Sequence, residues 1–194
     1  MATTVYMLLT ADCETARGDL PAHALEMSGS GPADYAESER AIGGYAAIGR
    51  RHGFPLTIFA HPEVARGNRG LLLDLQAEGA CLGMHVHPYK LVGAGYRHDL
   101  GAYTAGEQRA MLGAAAEAWA EAMGERPRYF RAGYFSANDS SFGVLRELGF
   151  RGGSLSNPGR ILPTHQSVWA GAQPYPHRAD EAFRQCAGAS DFVE

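Results

Sequence analysis

Residues 56–87 read LTIFAHPEVARGNRGLLLDLQAEGACLGMHVH, and their pattern decides the fold. Residues 56–60 are a short apolar run containing Thr57, Ile58 and Phe59, which predicts a buried strand. Residues 71–77 predict a short helix, and Gly79 closes it. Residues 80–86 are a second apolar run and a second strand. A strand, a helix and a strand in so few residues imply a parallel pair with a crossover helix.

The same alternation extends in both directions. Residues 5–10 form a continuous apolar run, as expected of a strand buried on both faces. Over residues 33–52, Tyr35, Ile42, Tyr45 and Ile48 fall near helical spacing, with Gly53 as C-cap. Thr104 and Glu107 make a capping box ahead of an alanine-rich helix that reaches about residue 123. Residues 129–131 predict a fourth strand, Asn138 opens a helix that ends near Gly149, and residues 152–155 predict a fifth strand. The class is α/β with a parallel sheet, either open and doubly wound or closed as a barrel. From residue 157 the composition turns to Pro and Gly, with one short strand expected at 166–170 and the start of another at 191–194. A closed eight-stranded barrel usually takes about 250 residues. The 194 residues here are therefore expected to be one domain whose last strands lie beyond Glu194.

Composition narrows the function. A chain that is 45% hydrophobic and 20% charged can bury one real core. With net charge −4, a pI near 6.1 and no Lys/Arg run, it offers no basic face for nucleic acid or a membrane surface. The apolar run near the N-terminus is too short for a signal-peptide core, and no stretch approaches the ~20 apolar residues of a membrane helix. Cys13, Cys81 and Cys186 are odd in number, widely spaced and without a C-x-x-C pair. These features predict a cytoplasmic protein with reduced thiols.

In parallel α/β folds the chemistry gathers at the C-terminal ends of the strands. The first strand leads into Thr10-Ala11-Asp12-Cys13-Glu14, where extended backbone would put Asp12 and Glu14 on one side. The third leads into Gly83-Met84-His85-Val86-His87-Pro88, where the two imidazoles can converge on one ion. The fourth leads into Phe130-Arg131-Ala132-Gly133-Tyr134, and a buried Arg131 needs an anionic partner, for which Asp12 is available. Two imidazoles and one carboxylate, with a second carboxylate as base, suit a hydrolytic metal site. His23, His61, His98, His165 and His177 fall in loops and His52 near a helix end, where solvation is the ordinary state. His61 shares the rim of the strand ends, and His98 lies in a loop able to line a cleft. Trp119 is expected in the core, whereas Trp169 and the segment around Tyr175 could flank a sugar.

These motifs resemble the polysaccharide deacetylase family, also called the NodB homology family, over about residues 5–176. The family's T-x-D-D or T-x-D-x-D/E motif corresponds to Thr10–Glu14, its H-S-x-x-H motif to His85-Val86-His87-Pro88 as in an H-x-H-P branch, and its R-x-P-Y motif to Arg131–Tyr134. The resemblance implies a distorted (β/α)7 barrel. It implies Asp12 as general base, Glu14, His85 and His87 as metal ligands, Arg131 as the residue that orients Asp12, and the Tyr134 N–H as oxyanion donor. The implied metal is Zn2+, with Fe, Co or Ni also compatible, and the implied activity is removal of an acetyl group from an N-acetylated sugar. The departures are Cys13 directly after Asp12, Tyr89 where the commoner motif has its second His, and Ala132 and Gly133 in place of the third motif's prolines, which would loosen that loop. The family's late catalytic His is expected beyond Glu194. Two other readings remain open at this point: a cyclic imide or amide hydrolase acting on a small substrate, and a non-catalytic carbohydrate-binding module.

Overall fold

The computed structural model describes residues 7–194. Five strands, β1 (Leu9–Cys13), β2 (Leu56–Ala60), β3 (Cys81–Val86), β4 (Tyr129–Ala132) and β5 (Gly152–Gly153), pair in chain order and all in parallel. Helical crossovers join them, as parallel pairing requires. These are α1 (Ala22–Met27) and α2 (Tyr35–Arg51), then α3 (Pro62–Gly67) and α4 (Arg69–Ala77), then α5 (Ala105–Met123), and finally α6 (Ser141–Glu147). A two-stranded antiparallel hairpin follows, β6 (Ile161–Leu162) with β7 (Ser167–Val168). The sheet is open: among the described residues it does not close into a barrel. Val193 makes a parallel bridge to Gly152, so the segment read as the start of a further strand lies beside β5, on the open edge.

Local signals set the helix ends. The Asp34 side chain accepts the Glu37 N–H at 2.7 Å ahead of α2, and Gly53 follows it at φ +70°. Ahead of α5, Thr104 and Glu107 cap each other's backbone reciprocally, and Gly124 terminates the helix in the left-handed conformation.

The structure differs from the sequence reading in several elements, among them the strand expected at 166–170, which is only Ser167–Val168 and pairs with an unexpected Ile161–Leu162. The first strand runs later than the expected 5–10, over Leu9–Cys13, while residues 5 and 6 of the expected run lie outside the described residues. Leu9 to Asp12 stay partly exposed because β1 has a partner strand on one side only and its inner face opens onto a cavity. Helix α3 went unseen because six residues are too few to show a period, although Pro62 at its first position is a start signal. The fifth strand shrinks to two glycines.

The core lies on one face of the sheet. Ile58, Met84, Val86 and Phe130 are buried there against Val64, Leu72, Leu112 and Trp119 of the crossover helices. Each such side chain contributes roughly 1.5–3 kcal/mol on burial. Because side chains alternate along a strand, the residues between them face the other way. No helix among the described residues is long and apolar enough to cross a membrane.

Candidate metal centre

Cys13 pairs with Ala60, Ala60 with Met84, and Met84 with Phe130, all core positions. One residue further on stand Glu14, His61, His85 and Arg131, level across four neighbouring strands and turned to the opposite face. Asp12 lies two residues before Glu14 and His87 two after His85, so both share that face. The parallel register alone thus collects most of the site at one sheet end.

The ligand atoms of Glu14, His85 and His87 all lie within 4.8 Å of one another. Glu14 Oε1 is 3.2 Å from His87 Nε2 and 3.6 Å from His85 Nε2. His85 Nδ1 lies 3.0 Å from the Arg131 carbonyl, which can only accept, so Nδ1 carries the hydrogen and Nε2 a lone pair. That buried Nε2 has no hydrogen-bond partner among the described residues. A lone pair that faces a carboxylate in a buried site calls for a cation between them. Ligands at ~2.1 Å in tetrahedral array stand roughly 3.4 Å apart, and the observed separations bracket that spacing. The residues fit a divalent metal.

The surroundings tune the ligands. Burial would raise the Glu14 carboxyl, but the two imidazoles of His85 and His87 beside it outweigh burial and hold Glu14 well below the usual carboxylate range. Burial dominates at His85 and pushes it down, favouring the neutral, ligating imidazole. At His87 burial is overcome by Asp99 and Glu14, and the net shift is upward. Asp99 Oδ1 stands 3.8 Å from His87 Nδ1, while its Oδ2 pairs with His165 Nδ1 at 2.7 Å. Lys90 is fully buried, and its ammonium meets Glu14 Oε2 at 3.0 Å, Ser30 Oγ at 2.7 Å and the Ser30 carbonyl at 3.1 Å. All three N–H donors are thereby used.

Arg131 Nη1 donates to Asp12 Oδ1 at 2.8 Å and to Thr10 Oγ1 at 3.1 Å, and Nη2 donates to Ser154 Oγ at 3.1 Å. Its guanidinium lies 4.3 Å above the Phe59 ring. Tyr134 holds a left-handed φ of 55° and sets its ring edge-on to His87 at 5.1 Å. A cavity of about 330 Å³ opens over these groups, lined in part by Asp12, Glu14, His85, His87, Tyr134 and Arg160.

The departures from the family motifs acquire physical reasons. Cys13 points to the core side, and burial followed by the charges of Asp12 and Glu14 pushes its thiol up to about 12, so it stays clear of the ligand set. Tyr89 packs with Leu20 and Ala24, while His87 reaches the centre in its stead. The expectation of a loosened third loop does not hold: a Cβ at Gly133 would strike the His87 ring, so the glycine is what lets that loop close on the ligand.

Other expectations are sorted by the same geometry. His98 is exposed and away from the cavity wall. His23 and His177 bond to the carbonyls of Tyr96 and Tyr175. Trp119 is in the core as expected. Trp169 does not flank the cavity but is fully buried, donating its indole N–H to the Phe135 carbonyl at 2.7 Å. The sequence reading missed Lys90, Asp99 and Glu63, and it left His165 in solvent, whereas the His165 ring lies 4.0 Å from that of Tyr134. Glu63 alone left a trace, as the carboxylate of a His-Pro-Glu run at the end of β2.

The polysaccharide deacetylase family profile matches residues 45–153. Among curated proteins none matches the sequence. A solved structure from Mycobacterium smegmatis, provisionally assigned as a polysaccharide deacetylase, superposes with TM-score 0.54 at 19% identity, covering 99% of this chain and 60% of that one. The chain thus spans about three fifths of that structure's length. Puue allantoinase is similar at TM-score 0.49 and 18% identity over 77% of this chain and 53% of that one. With more than half of its residues inside the family profile, the chain belongs to the polysaccharide deacetylase family.

Proposed function

We propose that the protein is a metal-dependent hydrolase that removes an acyl group, most simply acetyl, from an N-acetylated sugar or a related amide. The observation that carries this is the convergence of three acceptors, Glu14 Oε1 and the buried His85 Nε2 and His87 Nε2, beside an Asp12 carboxylate held by Arg131. A divalent ion at that point, zinc for preference with this ligand set, supplies Lewis acidity to an amide carbonyl and acidity to water.

The chain's own residues do the rest. Asp12 faces the same cavity and accepts a proton from the attacking water. Arg131 keeps Asp12 oriented, and its remaining contacts to Thr10 and Ser154 prevent it from swinging away. Tyr134 offers its backbone N–H to the oxygen that becomes negative as the tetrahedral centre forms. Its left-handed backbone is a strained conformation of the kind that clusters at functional sites.

The experiment is metal analysis and acetate release on N-acetylated oligosaccharides, comparing the wild type with His85→Ala and Asp12→Asn. About one ion per chain is expected in the wild type and in Asp12→Asn, and none in His85→Ala. Acetate release should fall by ~10²–10⁴ in Asp12→Asn. Full activity without metal, or in His85→Ala, refutes the proposal. Binding of oligosaccharide with neither metal nor turnover would make the protein a binding module instead.

A further inference from the structure

The charged groups at the cavity are paired with one exception. Asp12 has Arg131 at 2.8 Å and Glu14 has Lys90 at 3.0 Å. Arg160 lines the same cavity, and among the described residues its guanidinium has neither an ion pair nor a hydrogen bond. It rests over the Phe135 ring, 5.7 Å from the centroid, on the ring that also lies 5.7 Å from the Arg131 guanidinium.

The backbone beneath this free guanidinium is tightly held. The Arg160 N–H bonds to the Asn157 carbonyl at 2.9 Å, and its carbonyl accepts from the Trp169 N–H at 2.8 Å. Trp169 is fully buried, and its indole N–H fixes Phe135. One residue therefore positions both the arginine and the aromatic surface it lies on. A fixed main chain with an uncommitted, half-buried fork is the arrangement expected of a residue whose anionic partner arrives with the ligand.

We propose that Arg160 is a specificity-determining residue that binds a carboxylate on the substrate, so that the preferred substrate is an N-acylated sugar acid or a similarly acidic amide. This rests on the reading of the cavity as an amide-binding site and narrows its substrate class. A carboxylate is favoured over a phosphate because one planar fork neutralises a single charge, and the neighbouring cations Arg131 and Lys90 are already paired with Asp12 and Glu14 and so leave none for a dianion.

The test compares two ligands that share ring and acetamide, N-acetylglucosaminuronic acid and N-acetylglucosamine, by calorimetry on the zinc-loaded protein. The wild type should bind the acid about fivefold or more tightly, as one charge-assisted contact at a half-buried position allows. Arg160→Gln should bring that ratio near one, and Arg160→Lys, which keeps the charge but loses the fork, should fall between. Equal binding by the wild type, failure to bind either ligand, or an undiminished ratio in folded Arg160→Gln overturns the inference. N-acetylglucosamine 6-phosphate as a third ligand reveals a phosphate site, which also overturns it if preferred. If the carboxylate preference stands but neither sugar is hydrolysed, the hydrolase reading fails and the carboxylate site survives.

Discussion

The Nε2 atom of His61 accepts the backbone N–H of His87 at 3.1 Å, so a histidine outside the Glu14–His85–His87 cluster holds in place the main chain of one inside it. His61 Nδ1 faces Glu63 Oε2 at 2.6 Å, and the Glu63 Oε1 atom accepts the Val92 N–H at 3.0 Å. The chain at His87 and at Val92, five residues further on, is thus tied to one carboxylate at the start of α3. His61→Phe fills much of the same volume but removes the acceptor. It should cost about 1–3 kcal/mol in stability from the unpaired buried N–H. It should also weaken zinc binding by ~10–100-fold, as loss of a group that supports a ligand commonly does. Chelator competition checks the second point, and an unchanged zinc affinity would show that His61 serves stability only.

Glu63 gives a pH dependence of known sign. Burial would raise its carboxyl, but the hydrogen bonds from His61 Nδ1 and the Val92 N–H lower it below the ordinary value. A carboxyl depressed in the folded state stabilises the protein above its unfolded pKa, and that contribution is lost as pH falls through the folded pKa. Glu63→Gln should therefore be destabilised at pH 7 by about 1–3 kcal/mol and by much less near pH 3. Urea unfolding of both proteins across this range is the measurement. A gap that stays constant with pH would mean that Glu63 acts through packing and not through charge.

Lys90 links stability to metal. It is fully buried, with Glu14 as its only ion-pair partner among the described residues. Lys90→Met removes the cation and leaves the half-buried Glu14 carboxylate without its ion-pair partner. Without metal this should cost roughly 3–5 kcal/mol, the usual result of breaking a buried pair. A zinc ion at the proposed site would replace the missing positive charge, so zinc should raise the melting temperature more in Lys90→Met than in the wild type. Equal increments in the two proteins would show that Lys90 and the metal do not share Glu14.

Much of this was legible in the sequence because it follows from strand period and strand ends. The order of β2, α4 and β3 is visible in apolar runs and stop glycines, and the parallel register then carries Glu14, His85 and Arg131 to one rung without further information. Lys90 and Asp99 were not legible because what marks them is burial against partners far along the chain, 76 residues away for the Lys90–Glu14 pair and 66 for the Asp99–His165 pair. A lysine three residues past His87 looks like any other until the loop near Ser30 folds over it. Trp169 was misread for a similar reason. Aromatic residues in a Pro/Gly-rich tail suggest a sugar platform, but its neighbours Phe135 and Arg160 turn the indole into a brace.

Gly133 provides the sharpest test of how closely the third loop must approach the centre. It is buried, and the place a Cβ would occupy is filled by the His87 ring. Gly133→Ala must therefore displace either the imidazole or the loop that carries Tyr134. Overpacking of this kind typically costs 1–3 kcal/mol. If the ring yields, His87 Nε2 moves away from Glu14 and zinc affinity should drop at least ~10-fold, with the ion still recoverable at high zinc. If the loop yields, zinc affinity holds while turnover falls, because the Tyr134 N–H is shifted from the position of the developing oxyanion. Zinc titration and acetate release on the same variant separate the two. Wild-type values in both would mean that the Gly133 loop and His87 are not in contact in solution.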